Sequence, residues 1–160
     1  MSSVLIFRIG QLGDTLVGLP ALKALREHHQ GAKIDLMYDH HIGAAYVLAE
    51  SLLADTDVVN RYIPYPVGHS TRDKLKAFMA YPRLLLQLRR NRYLIVYHLE
   101  PGQKTSLRSL RDRIFFRLAG IRVQVTSTPY RLPRPVRKPL PNMESEVDFY
   151  LRVLNKHGIR

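Results

Sequence analysis

A short apolar run that stops on a glycine and restarts as a helical pattern leaves a chain few ways to fold. Val4 to Ile9 is such a run, β-branched and apolar apart from Arg8. It closes on Gly10, and Gly13 and Asp14 follow where helical spacing begins. The pattern predicts a buried first strand, a tight turn and a first helix. In an open α/β sheet, ligands meet the protein outside the carboxyl ends of the strands, and this turn would lie there. Asp14 is then the residue best placed for chemistry. On the residues alone it reads first as a helix cap, its carboxylate on free N–H groups, and second as a catalytic acid. Gly10 and Gly13 lack the third glycine of a dinucleotide fingerprint. They suit a sharp backbone turn and the close approach of a ligand.

The rest of the chain repeats the alternation. Leu16 to Leu25 leaves the first helix little polar face, Pro20 predicts a kink, and Gly31 supplies a stop. Lys33 to Tyr38 reads as strand two, Ile42 to Leu53 as helical, and Val58 to Tyr62 as a short third strand. Pro64, Pro66 and Gly68 then break the chain. Lys74 to Arg90 is a basic helix, split or bent at Pro82, with Leu75, Phe78, Met79, Leu84, Leu85 and Leu88 expected to face inward. Tyr93 to Leu99 predicts a central strand. Leu107, Leu110, Ile114, Phe115 and Leu118 share one face of a helix ending at Gly120, and Arg122 to Thr126 predicts the last strand. Pro129 to Asn142, with five prolines among basic residues, predicts an extended loop. A final helix opens after Pro141 with Asn142 as its cap. Strands alternating with helices imply one Rossmann-like α/β domain over residues 1–160, its mostly parallel sheet covered on both faces.

Charge and composition narrow the partners. The chain of 160 residues has a formal net charge of +12 and no cysteine. Disulfides and thiolate metal sites are thereby excluded. Between Thr71 and Arg92 stand seven basic residues and one acid, and between Arg122 and Lys138 five basic residues and none acidic. Such a field favours an anionic partner or a solvated basic surface. The N-terminus has no secretory pattern and no apolar run approaches the ~18 residues of a spanning helix. The expectation is a cytoplasmic protein, peripheral at most to the inner face of the cytoplasmic membrane. Asp55-Thr-Asp57 reads as a turn rather than a metal site. The adjacent pairs His28-His29 and His40-His41 lack the spacing of metal ligands.

With Arg8-Ile-Gly-Gln-Leu-Gly-Asp14 followed by Leu16, Pro20, Ala21-Leu22 and Leu25-Arg26, the opening resembles the N-terminal signature of the family 9 glycosyltransferases, the heptosyltransferases of lipopolysaccharide core synthesis and their relatives. The likeness continues through Gly31-Ala-Lys-Ile-Asp-Leu36, Asp55-Thr-Asp57-Val-Val59 and Ser145-Glu-Val-Asp-Phe-Tyr-Leu-Arg-Val-Leu154. The resemblance implies the acceptor-binding half of a GT-B fold, two Rossmann-like domains with the site between them. The C-terminal nucleotide-sugar domain lies outside this sequence, so the chain is expected to be inactive without it, as a truncation or beside a separately encoded half.

By that resemblance the reaction is an inverting transfer from a nucleotide sugar such as ADP-heptose to a lipid A–core-like acceptor. Asp14 takes the position of the general base, and no metal or bound cofactor is implied beyond the donor. Acceptor contacts are expected from Gly10, Gln11, Leu12, Gly13, Thr15, His98, Lys104, Arg131 and Arg134, the arginine forks suiting phosphate oxygens. Two positions depart from the family pattern. His98 stands where an acid is frequent, and Ser145 where a histidine is. Two other classes remain open: a non-catalytic module binding an anionic glycolipid, and a basic Rossmann-like domain binding nucleotides or nucleic acid. Nucleic acid is the weaker partner, since no recognised module is present.

Overall fold

The alternation of apolar runs and helical stripes resolves into five strands and five helices among the described residues, which in this computed structural model are 2–10, 12–42, 49–99, 106–126 and 145–159. In order they are β1 (Ser3–Arg8), α1 (Leu12–His28), β2 (Lys33–His41), α2 (Ala49–Leu53), β3 (Arg61–Val67), α3 (Thr71–Asn91), β4 (Ile95–His98), α4 (Ser106–Leu118), β5 (Val123–Thr126) and α5 (Glu146–Asn155). The strands form one sheet in the order β3-β2-β1-β4-β5, and every pairing is parallel. The order reverses between β1 and β4, which makes their carboxyl ends the topological switch point.

Covered on both faces, β1 and β2 have to be apolar nearly throughout. Val4 and Ile6 pack to one side with Leu22, Leu25, Tyr150 and Leu154 of α1 and α5. Leu5 and Phe7 pack to the other with Leu84 and Leu88 of α3 and Phe116 of α4. Each such side chain, fully buried, contributes about 1.5–3 kcal/mol relative to exposure. At the amino edge of the sheet, buried Asp35 accepts from Arg61 at 2.6 Å and from the Tyr93 hydroxyl at 2.5 Å, fastening β3 to β2.

Several expectations are corrected. The third strand is Arg61–Val67 rather than 58–62, and it runs through Pro64 and Pro66, which were expected to break the chain. They pair in register with Tyr38 and His40, and the reason they are tolerated is position. β3 is an edge strand, where a missing N–H toward solvent costs nothing in the ladder. Pro20 and Pro82 lie inside α1 and α3 without ending them. Both are exposed, so the carbonyls they leave unpaired sit on the hydrated side. The helix expected over 42–53 is reduced to Ala49–Leu53 among the described residues. The cap of α5 is Ser145: its hydroxyl accepts from the Asp148 N–H at 3.1 Å and donates to the Asp148 carboxylate at 2.6 Å. Asn142 and the proline-rich loop lie outside the described residues.

The largest correction concerns α3 and α4. Leu75, Phe78 and Met79 are exposed rather than inward, and so is Leu86. On α4 the same holds for Leu107, Leu110, Ile114 and Leu118. Each helix carries two apolar stripes, and only one can rest on a sheet. The stripes that do are Ala77, Leu84 and Leu88 on α3, and Phe116, with half-buried Phe115, on α4.

Candidate active site at the carboxyl edge of the sheet

β1 delivers Arg8 to the switch point with its side chain directed toward α1 and α5, and there it is 2 % exposed. A buried guanidinium needs partners for its donors, and here Nη1 and Nη2 have them while Nε has none among the described residues. Nη1 donates to the Leu99 carbonyl at 2.6 Å and to the Tyr150 hydroxyl at 3.1 Å, and Nη2 donates to the Asp14 carbonyl. The cation also lies 5.2 Å from the centre of the Tyr150 ring, a cation–π contact. Burial pushes the Tyr150 phenol up, and the charge of Arg8 opposes that shift. One side chain thus joins the end of β1, the end of β4, the first turn of α1 and α5.

The approach of Arg8 to α1 depends on Gly18. A Cβ there would come within 2.9 Å of Arg8 Nε and 3.1 Å of its Cζ. A mid-helix glycine is unfavourable by ~1 kcal/mol against alanine, and here the guanidinium occupies the space a side chain would fill.

Asp14 is the third residue of α1, half-buried, in the first turn rather than at the cap. Its side chain folds back over the turn: a Cβ on Gly10 would meet Asp14 Oδ2 at 2.6 Å and its Cβ at 2.8 Å. Gly10 is therefore required by close approach. A Cβ on Gly13 would touch nothing within 4 Å, leaving an open stretch of helix surface beside Asp14. Thr15 is buried beneath. Helix N–H groups and the macrodipole favour negative charge at this turn.

Beyond the sites expected from sequence, the carboxyl ends of β2 and β3 add a chain of polar groups. The Gly10 N–H donates to Asp39 Oδ1 at 3.2 Å, and Asp39 Oδ2 bonds His41 Nε2 at 2.7 Å. His41 Nδ1 in turn lies 2.6 Å from His69 Nε2, with the two rings stacked 4.7 Å apart. Asp39 is buried, His41 half-buried and His69 exposed, so the chain leads from the turn to solvent. It uses opposite nitrogens of His41 and does not converge on a point. Among the described residues no group of three His, Cys, Asp or Glu side chains is arranged to hold a metal ion.

His98 ends β4 but turns to the opposite face of the sheet from Asp14. Its ring is buried edge-on to Phe7, 5.6 Å away, and Phe116, 5.1 Å away. Gln11, Lys104, Arg131 and Arg134 lie outside the described residues, as does the side chain of Leu12. The fold thus brings together Gly10, Gly13, Asp14 and Thr15, adds Arg8, Asp39, His41, His69 and Tyr150, and directs His98 elsewhere. The sequence signal for Arg8 is a lone charge in an apolar strand, which buries only if something answers it. For His41 and His69 only the parallel pairing of β2 with β3 supplies the link.

A half-buried carboxylate at the switch point, with open backbone beside it, has the chemistry to accept a proton from a hydroxyl. No protein-family model and no curated protein sequence matches the chain. Solved structures do. The family 9 glycosyl transferase from Veillonella parvula DSM 2008 aligns with 99% of this chain at TM-score 0.65 and 16% identity, over 42% of its own length. E. coli heptosyltransferase WaaC with ADP aligns with 96% at TM-score 0.57 and 19% identity, over 46% of its length. E. coli ADP-heptose lps heptosyltransferase II aligns with 82% at TM-score 0.54 and 20% identity, over 33% of its length. The chain therefore has the Rossmann-like α/β fold found in these GT-B glycosyltransferases, and it spans a third to just under half of their length.

Proposed function

We propose that this chain is the acceptor side of an inverting glycosyltransferase, with Asp14 as its general base. The observation that carries the reading is the Asp14 carboxylate folded over Gly10 at the β1–β4 switch point, in a fold shared with heptosyltransferases. In this reading an acceptor hydroxyl lies against the Gly10–Gly13 turn. Asp14 takes its proton as the oxygen attacks the anomeric carbon of a nucleotide-activated sugar such as ADP-heptose. The nucleotide diphosphate leaves from the opposite side, and the anomeric configuration inverts. A second, nucleotide-sugar-binding domain holds the donor. Arg8 and Asp39 are positioning residues, the first holding the helix start and the second the Gly10 N–H.

The acceptor is a phosphorylated, lipid A–core-like glycolipid, whose phosphates suit Lys104, Arg131 and Arg134. The chain then works at the cytoplasmic, anionic face of a membrane. Titration of the chain with a delipidated phosphorylated core oligosaccharide, followed by amide NMR, tests the reading. Perturbation centred on Gly10, Gly13 and Thr15, retained in Asp14→Asn, is expected. Binding elsewhere, or to RNA and not to the oligosaccharide, would contradict it. Binding here without transfer in a polypeptide that also contains the donor-binding half would make the chain a glycolipid-binding module.

A further inference from the structure

The stripes of α3 and α4 that face outward have no cover among the described residues. Phe78 is 68 %, Met79 70 % and Leu107 79 % exposed. The two helices are neighbours, joined by the edge contact of Tyr81 with Phe115 at 6.1 Å, so their stripes lie side by side on one face of the molecule. Monomeric proteins seldom leave a contiguous apolar surface of this kind without a use for it.

Charge tells what the surface fits. α3 carries six Lys or Arg residues against the single acid Asp73, and α4 four arginines against Asp112. Asp112 is buried and paired with Arg111 at 2.6 Å, and Asp73 is bonded to Ser70. Arg72, Lys76, Arg83 and Arg90 recur at spacings of four and seven, which places them in one exposed row beside the apolar stripe of α3. The helices of the other face, α1, α2 and α5, hold three basic residues against five acidic ones. The molecule is polarised across its sheet, with all the excess positive charge of its helices on the face that also exposes Phe, Met and Leu.

We infer that the α3–α4 face docks flat on an anionic phospholipid bilayer, with Phe78, Met79 and Leu107 entering the interface and the Lys/Arg rows on the headgroups. Apolar side chains flanked by long cationic stems, which snorkel, are the composition of an interfacial surface. Among the described residues no helix is long and apolar enough to cross a membrane, so the contact is with the surface. The acidic opposite face is repelled, which fixes the orientation. Helices in a parallel sheet run back against their strands, so α3 and α4 both begin at the carboxyl edge. Phe78, Met79 and Leu107 lie in the amino-terminal halves of these helices, toward the edge that holds Gly10 and Asp14. Asp14, on α1, stands on the far side of the sheet, so a headgroup at the membrane plane reaches it only by passing around that edge. The docking goes beyond the acceptor reading, and only this last consequence rests on it.

Vesicle flotation of the full chain tests the inference. The chain should partition onto phosphatidylcholine vesicles containing phosphatidylglycerol and not onto phosphatidylcholine alone, with binding lost in high salt. Phe78→Ser with Met79→Ser, both exposed and so compatible with folding, should weaken partition at least tenfold, as should Arg83→Glu with Arg90→Glu. Lys23→Glu on α1 should leave it unchanged. Absence of binding to the anionic vesicles, or loss equal to theirs in Lys23→Glu, would overturn the proposal. So would a lipid-free dimer, seen by sedimentation, that the Phe78/Met79 variant dissolves while vesicle binding persists unchanged, since the face would then belong to a second copy. The vesicles contain no glycolipid, so their binding survives if the acceptor reading fails. Soluble oligosaccharide binding by the Phe78/Met79 variant survives if docking fails.

Discussion

The guanidinium of Arg8 donates to the hydroxyl of Tyr150 at 3.1 Å, across 142 residues of sequence. The same nitrogen reaches the Leu99 carbonyl, so α5 and the end of β4 are tied to the strand that carries the candidate site. Tyr150→Phe removes one acceptor from a buried cation and should destabilise the chain by about 1–2 kcal/mol. Arg8→Lys loses the fork that serves three acceptors at once and should cost more, about 2–4 kcal/mol. Urea unfolding of the two variants checks both the sign and the order.

Two glycines of α1 should respond oppositely to alanine. Gly13 has open space, so Gly13→Ala should raise stability by several tenths to ~1 kcal/mol through helix propensity and reduced freedom of the unfolded chain. Gly18→Ala gains the same propensity but drives a Cβ to 2.9 Å from Arg8 Nε, and should be net destabilising by about 1–2 kcal/mol. Thermal melts of the pair measure the difference. A stabilised Gly18→Ala would mean that Arg8 has room to move aside.

His29 gives stability a pH dependence. Its ring meets the Tyr97 hydroxyl at 2.8 Å, and burial, then the charges of His28 and Arg26, hold its imidazole below the ordinary 6.5. The unfolded chain thus takes up the proton more readily than the folded one. The contribution of His29 is fully present above pH 6.5, declines as pH falls through that value, and levels off below the folded-state pKa. Chemical unfolding between pH 7.5 and pH 5 should therefore show a slope that His29→Gln reduces.

The strand–turn–helix opening was legible because its signals are local: an apolar run, a glycine, and an acid where helical spacing starts. The edge position of β3 was not, since whether Pro64 and Pro66 break a strand depends on which of its sides faces a neighbour. For α3 and α4, periodicity finds stripes without saying which one the sheet will take. On α3 the answer was the stripe with Ala77, small enough for close packing, and Phe78 and Met79 were left outside. The site's supports were hidden by distance along the chain. Leu99 lies 91 residues from Arg8, and His69 lies 28 residues from His41. Both become neighbours only once the strand order is known.

Asp39 accepts from both the Gly10 N–H and His41, and an amide in its place has one oxygen for two donors. Asp39→Asn should reverse the proton position on the His41 ring, visible in its ¹⁵N imidazole shifts, and destabilise by about 1–2 kcal/mol. Unchanged His41 shifts would mean that the Asp39 contact does not set that ring.

The most direct test of the central claim is the rate of sugar transfer by Asp14→Asn, measured in a polypeptide that joins this chain to a nucleotide-sugar-binding half. A general base at Asp14 predicts that kcat falls by roughly 10²–10⁴-fold with acceptor KM nearly unchanged. A variant that turns over at the wild-type rate would contradict the assignment.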